Sequence, residues 1–122
     1  MQALYPVVAT TGEVGERCSA SAEFFPQPEH VGAPGWVQGG LSATVLDAFS
    51  ARLASASLGM KVVTGTLDLR YRQPVLLDGS YQVTGTTDMP RSSTVRVTAS
   101  ISTADGRVLV EASGLFVGVA KL

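Results

Sequence analysis

Between residues 41 and 58 the large apolar side chains fall at Leu41, Val45, Leu46, Phe49 and Leu53, the spacing of one helix face. Alanine fills much of the remainder and Gly59 supplies a stop, so the pattern predicts a helix over 41–58. At about 100° per residue, Asp47 projects nearly opposite the apolar face, among Ala43, Ala51 and Ala54. After Gly59 the period changes to two. Val63, Leu67, Leu69 and Tyr71 alternate with Thr64, Thr66, Asp68, Arg70 and Arg72, which predicts a strand with one buried face.

The other segments follow the same logic. Residues 1–17 hold no sustained period and form an irregular or strand-like lead-in, and 18–25 read as a first strand. From 26 to 40, three prolines and four glycines break both periods and predict a long loop. Loops of that length in a compact domain are often functional. Asp78-Gly79 and Asp105-Gly106 each sit between apolar runs and read as hairpin turns. The strands 80–87, 94–103 and 108–119 complete the chain. One helix beside a mostly antiparallel sheet is an α+β layer architecture, and 122 residues suit a single domain.

Composition narrows the function. A net charge of −1 without a cluster of Lys and Arg argues against nucleic acid as a partner. The lone Cys18 excludes an intrachain disulfide, and no His/Cys/carboxylate group has metal-ligand spacing, so no metal or cofactor is expected. The first residues lack the basic and apolar regions of a signal peptide. No apolar run approaches the roughly 20 residues that cross a bilayer. The expected setting is cytoplasmic, away from membranes.

The segment His30-Val31-Gly32-Ala33-Pro34-Gly35-Trp36-Val37-Gln38-Gly39-Gly40, with Asp47 in the helix behind it, resembles the hotdog-fold acyl-CoA thioesterases of the phenylacetyl-CoA thioesterase type. Those proteins carry His-Gly-Gly before the helix and an acidic residue at the spacing of Asp47 from Gln38. Thr64-Gly65-Thr66-Leu67-Asp68-Leu69-Arg70-Tyr71-Arg72-Gln73-Pro74 resembles their Thr/Ser-containing strand ending in Tyr-x-x-Pro. Arg91-Ser92-Ser93 and Asp105-Gly106-Arg107 also fit the pattern, so the resemblance spans roughly residues 28–118. It implies a curved antiparallel sheet around one central helix, and hydrolysis of acyl-CoA or acyl-carrier-protein thioesters by a homodimer or homotetramer.

Thioester hydrolysis needs an activated nucleophile and donors aimed at the developing oxyanion. The resemblance assigns Gly39 as the leading oxyanion donor, with Gly40 beside it at a helix entry where N–H groups are free; a plain tight turn is the competing explanation. Asp47 is then general base or attacking carboxylate, against the alternative of a surface aspartate. Thr64 orients water or the acid, or is simply a β-branched strand residue. Gln38 stands where the family has histidine. Its amide can donate the same hydrogen bond but cannot titrate near neutrality, so the departure is compatible with retained hydrolysis or with a non-catalytic acyl-CoA binder.

The remaining candidates concern the ligand. Arg91 and Ser92 match the connection that contacts CoA phosphates, which suits the planar guanidinium fork; Arg70 and Arg72 compete for that role. Trp36 lines the acyl pocket or anchors its loop, and Asp68 is a binding candidate or an outward polar residue. His30 with Asp47 would make the Asp/His pair of hotdog hydratases and dehydratases, a third reading. The resemblance places the site between protomers, with Asp47 of one chain facing Thr64 of the other.

Overall fold

In a computed structural model of the chain, which describes residues 7–26, 39–76 and 79–122, the apolar stripe becomes helix α1 (Gly39–Leu58). Val45, Leu46, Phe49 and Leu53 are buried and Leu41 packs against them, as their spacing predicts. The helix starts two residues earlier than expected, so Gly39 and Gly40 form its first turn. The buried face is also wider: Ala54, predicted to flank Asp47 on the open side, is 0% exposed, and Ser50 and Ser57 are buried too. Cys18, Val95, Val97 and Phe116 share a buried cluster with Ala54 and cover this flank.

Gly59 ends the helix with φ +66°, and its N–H bonds the Ser55 carbonyl at 2.8 Å. The β1–β2 turn closes the same end. There Gly15 N–H donates to the Ser57 carbonyl at 2.8 Å, and the Ser57 hydroxyl donates to the Glu16 carbonyl at 2.6 Å. These bonds satisfy groups that a helix terminus leaves open.

Six strands form one antiparallel sheet: β1 (Val7–Thr11), β2 (Ser19–Phe24), β3 (Met60–Tyr71), β4 (Tyr81–Thr87), β5 (Thr94–Ser102) and β6 (Val108–Lys121). Their spatial order is β1-β2-β4-β5-β6-β3. The lead-in therefore supplies an edge strand. Asp105-Gly106 makes the predicted hairpin between β5 and β6, with Gly106 at φ +90°. The Asp78-Gly79 expectation is corrected. β3 pairs with β6 while β4 pairs with β2 and β5, so no hairpin joins β3 to β4. β6 and β5 lie between β3 and β4 in the sheet, and Asp78 itself lies outside the described residues.

β3 also departs from simple alternation. Its register against β6 slips between Thr64 and Thr66, leaving Gly65 as an extra residue. Thr64 opposes Phe116 and Leu67 opposes Gly114, both inward positions, whereas Val63 opposes Val117 and is 50% exposed. A bulge exchanges the faces of all residues beyond it. Val62 and Thr64 face the helix before it, and Leu67 and Leu69 after it, so Val63 is corrected to the outer face. A Cβ on Gly65 would lie 3.1 Å from the Leu115 carbonyl oxygen, a tight contact that glycine avoids.

Two apolar clusters fill the space between helix and sheet. The larger joins Phe24, Val45, Leu46, Phe49, Val83 and Ile101; the smaller joins Cys18, Leu53, Ala54, Val95, Val97 and Phe116. The opposite sheet face is rich in hydroxyls, with Ser19, Thr86, Thr98 and Ser113 in one transverse row. No helix among the described residues is long and apolar enough to cross a membrane.

Candidate active site

The bulge and the helix together create a polar contact on the inner side of β3. Thr64 Oγ1 donates to Asp47 Oδ1 at 2.7 Å. Asp47 is half-buried in the middle of α1, and Thr64 is exposed. Among the described residues Asp47 Oδ2 has no hydrogen-bond partner, so the bond from Thr64 anchors one of the two carboxylate oxygens. Within the one chain described, Thr64 meets its own Asp47. The reason is the Gly65 bulge, which turns Thr64 toward its own helix.

At the helix start, Gly39 and Gly40 are exposed, and N–H groups of a first turn have no intrahelical acceptor. Among the described residues nothing lies within 4 Å of the position a Cβ would take on Gly40. The Tyr71 hydroxyl donates to the Gly39 carbonyl at 2.7 Å, and its ring lies beside Gly39. The sequence places Tyr71 on the apolar side of the strand and in the Tyr-x-x-Pro motif, and assigns it no contact with the glycine turn. The alternation with Leu67 and Leu69 signals its inward position, while the contact with Gly39 joins residues 32 apart and depends on where β3 ends beside the helix.

Other candidates fall elsewhere. Asp68 opposes Ser113 on the outer sheet face, where it lines a groove of about 940 Å³ with Thr86, Thr98, Ser100 and Arg70. It is not brought together with Asp47. Arg72 pairs with Glu111 at 2.6 Å, which gives that guanidinium a partner inside the chain. Arg91 and Ser92 occupy the β4–β5 turn, closed by reciprocal backbone bonds of 2.9 Å between Arg91 and Thr94, with Ser92 at φ 55°. The Ser93 carbonyl accepts from Gly118 N–H at 2.7 Å, which sets this turn beside the end of β6, beyond the row Val95–Phe116–Thr64. His30, Trp36 and Gln38 lie outside the described residues.

The edge of β3 turned away from β6 has no strand partner among the described residues. That edge is 12 residues long and runs directly past Thr64. Neither the outer groove nor a second cavity of about 200 Å³ near Arg52 includes Asp47, Thr64 or Gly39.

No family model and no curated protein matches the sequence. Solved structures do match the fold. A thioesterase superfamily protein is 33% identical, with the match covering 81% of this chain and 48% of that protein, at a TM-score of 0.73; this chain thus spans about half of its length. A hypothetical thioesterase from Streptococcus pneumoniae, crystallised with coenzyme A, is 18% identical over 96% of this chain and 90% of its own, with a TM-score of 0.83. PaaI of E. coli, from the phenylacetic acid degradation operon, is 11% identical over 96% of this chain and 80% of its own, at 0.84. By fold, the chain is a hotdog protein of the kind seen in the thioesterase superfamily.

Proposed function

We propose that the protein hydrolyses acyl thioesters of CoA or of an acyl carrier protein, and that it does so as a homo-oligomer whose sites lie between two copies. The observation that carries this reading is the Thr64–Asp47 bond of 2.7 Å, a carboxylate held by one oxygen at the open inner edge of β3. The CoA found with the pneumococcal neighbour supports the substrate class.

In this reading Asp47 Oδ2 takes a proton from water as the water oxygen attacks the thioester carbonyl carbon. The alternative, direct attack by the carboxylate, would form an acyl anhydride that water then opens. Either route puts negative charge on the carbonyl oxygen, and the N–H groups of Gly39 and Gly40 are the donors for it. Collapse of the tetrahedral intermediate breaks the C–S bond, and the thiolate recovers the proton held by Asp47.

The spacing along the helix supports a site built from two copies. Eight residues of helix separate Gly39 from Asp47, about 12 Å at 1.5 Å per residue. In the same chain the glycine turn and the carboxylate thus lie about two helical turns apart. Pairing of β3 with its copy supplies the missing half, since a long unpaired edge is a template for another strand. Asp47 and Thr64 then come from one protomer and the glycine turn from its partner.

The test is thiol release from a panel of short, long and aromatic acyl-CoAs and acyl-carrier thioesters, with native protein beside Asp47→Ala. Hydrolysis that survives Asp47→Ala overturns the assignment. The competing reading, an acyl-CoA binder, is favoured by Gln38 in place of histidine; it predicts saturable binding without turnover by the native protein, and turnover gained in Gln38→His.

A further inference from the structure

Tyr71 is the last residue of β3, and the bulge at Gly65 determines that it faces the helix. Its hydroxyl reaches the first carbonyl of α1, Gly39, at 2.7 Å. A Cβ on Gly39 would lie 3.5 Å from Tyr71 Cε1 and 3.6 Å from Cζ, so the ring stands against this residue, while no described residue comes within 4 Å of a Cβ on Gly40. The side chain is 53% exposed, so core packing does not explain the contact.

The Gly39 carbonyl and the Gly40 N–H belong to one planar amide and point in opposite directions. A carbonyl oxygen has two lone pairs. The helix uses one for the N–H four residues on, and Tyr71 takes the other. Two consequences follow. The plane is fixed by a bond from a different element, so its N–H is held in direction before any ligand arrives. A donor on the carbonyl also withdraws electron density from the amide and makes its N–H a stronger donor, an enhancement of roughly 10–30% per bond in condensed phase. Both effects act where glycine alone would leave the turn free to tilt.

We infer that Tyr71 is a positioning residue that clamps the Gly39–Gly40 peptide through the Gly39 carbonyl, making the Gly40 N–H the principal oxyanion donor. The inference rests on the thioesterase reading and shifts the weight of that donor role from Gly39 to Gly40. Tyr71 touches no reacting atom. Its contribution appears only in the transition state, when the carbonyl oxygen gains charge.

Tyr71→Phe keeps the ring and removes the donor. In the full-length protein, kcat for the best acyl-CoA should fall roughly tenfold with KM changed less than about twofold, the pattern of a lost transition-state interaction. The thermal midpoint should stay within about 3 °C, because the Gly39 carbonyl keeps its helical bond. In ¹H–¹⁵N spectra of the free protein the Gly40 amide proton should move upfield. An unmoved Gly40 resonance overturns the clamp whether or not the protein has activity. Unchanged kcat, or a loss of turnover matched by a large fall in midpoint, overturns the catalytic role. A native protein that releases no thiol from any substrate sinks the thioesterase reading and the donor role with it, while the Gly40 shift still decides the clamp.

Discussion

Thr64 on β3 donates its hydroxyl to Asp47 in the middle of α1, 2.7 Å away and within one chain. The bond holds one carboxylate oxygen and leaves the other without a hydrogen-bond partner among the described residues. Thr64→Val, nearly identical in shape, should leave the fold intact and lower kcat by about ten- to a hundredfold, since positioned acid–base groups contribute on that order or more. Thr64→Ser should retain most turnover. Steady-state kinetics on the pair check this, and equal activity of Val and Ser variants would remove Thr64 from the site.

A site shared between copies has a signature in mixtures. Asp47→Ala lacks the base, and Gly40→Pro lacks the proposed donor N–H, so each homodimer alone should be inactive. After mixing with subunit exchange, half of the dimers are hybrids, and each hybrid holds one intact site. Activity should return to about a quarter of native. Mixtures that stay inactive despite demonstrated exchange would place the whole site within one chain.

The Gly65 bulge decides what β3 presents. Deleting Gly65 should turn either Val62 and Thr64 or Leu67, Leu69 and Tyr71 away from the helix. Stability should fall by about 2–4 kcal/mol, the order expected when two half-buried apolar side chains are exposed. Turnover should vanish through loss of the Thr64 or the Tyr71 contact. Urea unfolding and kinetics together check this, and a deletion variant with native stability would disprove the assigned register.

Cys18 lies in the smaller apolar cluster at 2% exposed. Burial pushes its thiol above the usual 9.0, a hydrogen bond from Ser57 pulls it partly back, and Glu16 adds to the rise. The raised value means the neutral thiol is favoured by folding. Its contribution is present below the ordinary thiol value of 9.0 and declines as pH rises through the folded value. The stability difference between native protein and Cys18→Ala, measured by urea unfolding, should therefore shrink above about pH 9. Near neutrality a thiol reagent should label the native chain slowly and the unfolded chain at once, so the protein contributes little background to a thiol-release assay.

Part of this protein is legible without a structure because it depends on near neighbours along the chain. The helix follows from Leu41, Val45, Leu46, Phe49 and Leu53 recurring at helical spacing, its end from Gly59, and the β5–β6 hairpin from Asp105-Gly106. Asp47 and Thr64 also stand out locally, one as an acid in an alanine-rich helix, the other before a glycine in an alternating strand. The tertiary structure decided what pairs with what. β3 leaves β4 for β6, Val63 turns outward, Thr64 meets Asp47 and Tyr71 meets Gly39. Each depends on backbone hydrogen bonds between residues far apart in sequence and on one extra residue in the register, and a period-two pattern looks the same whichever strand lies beside it.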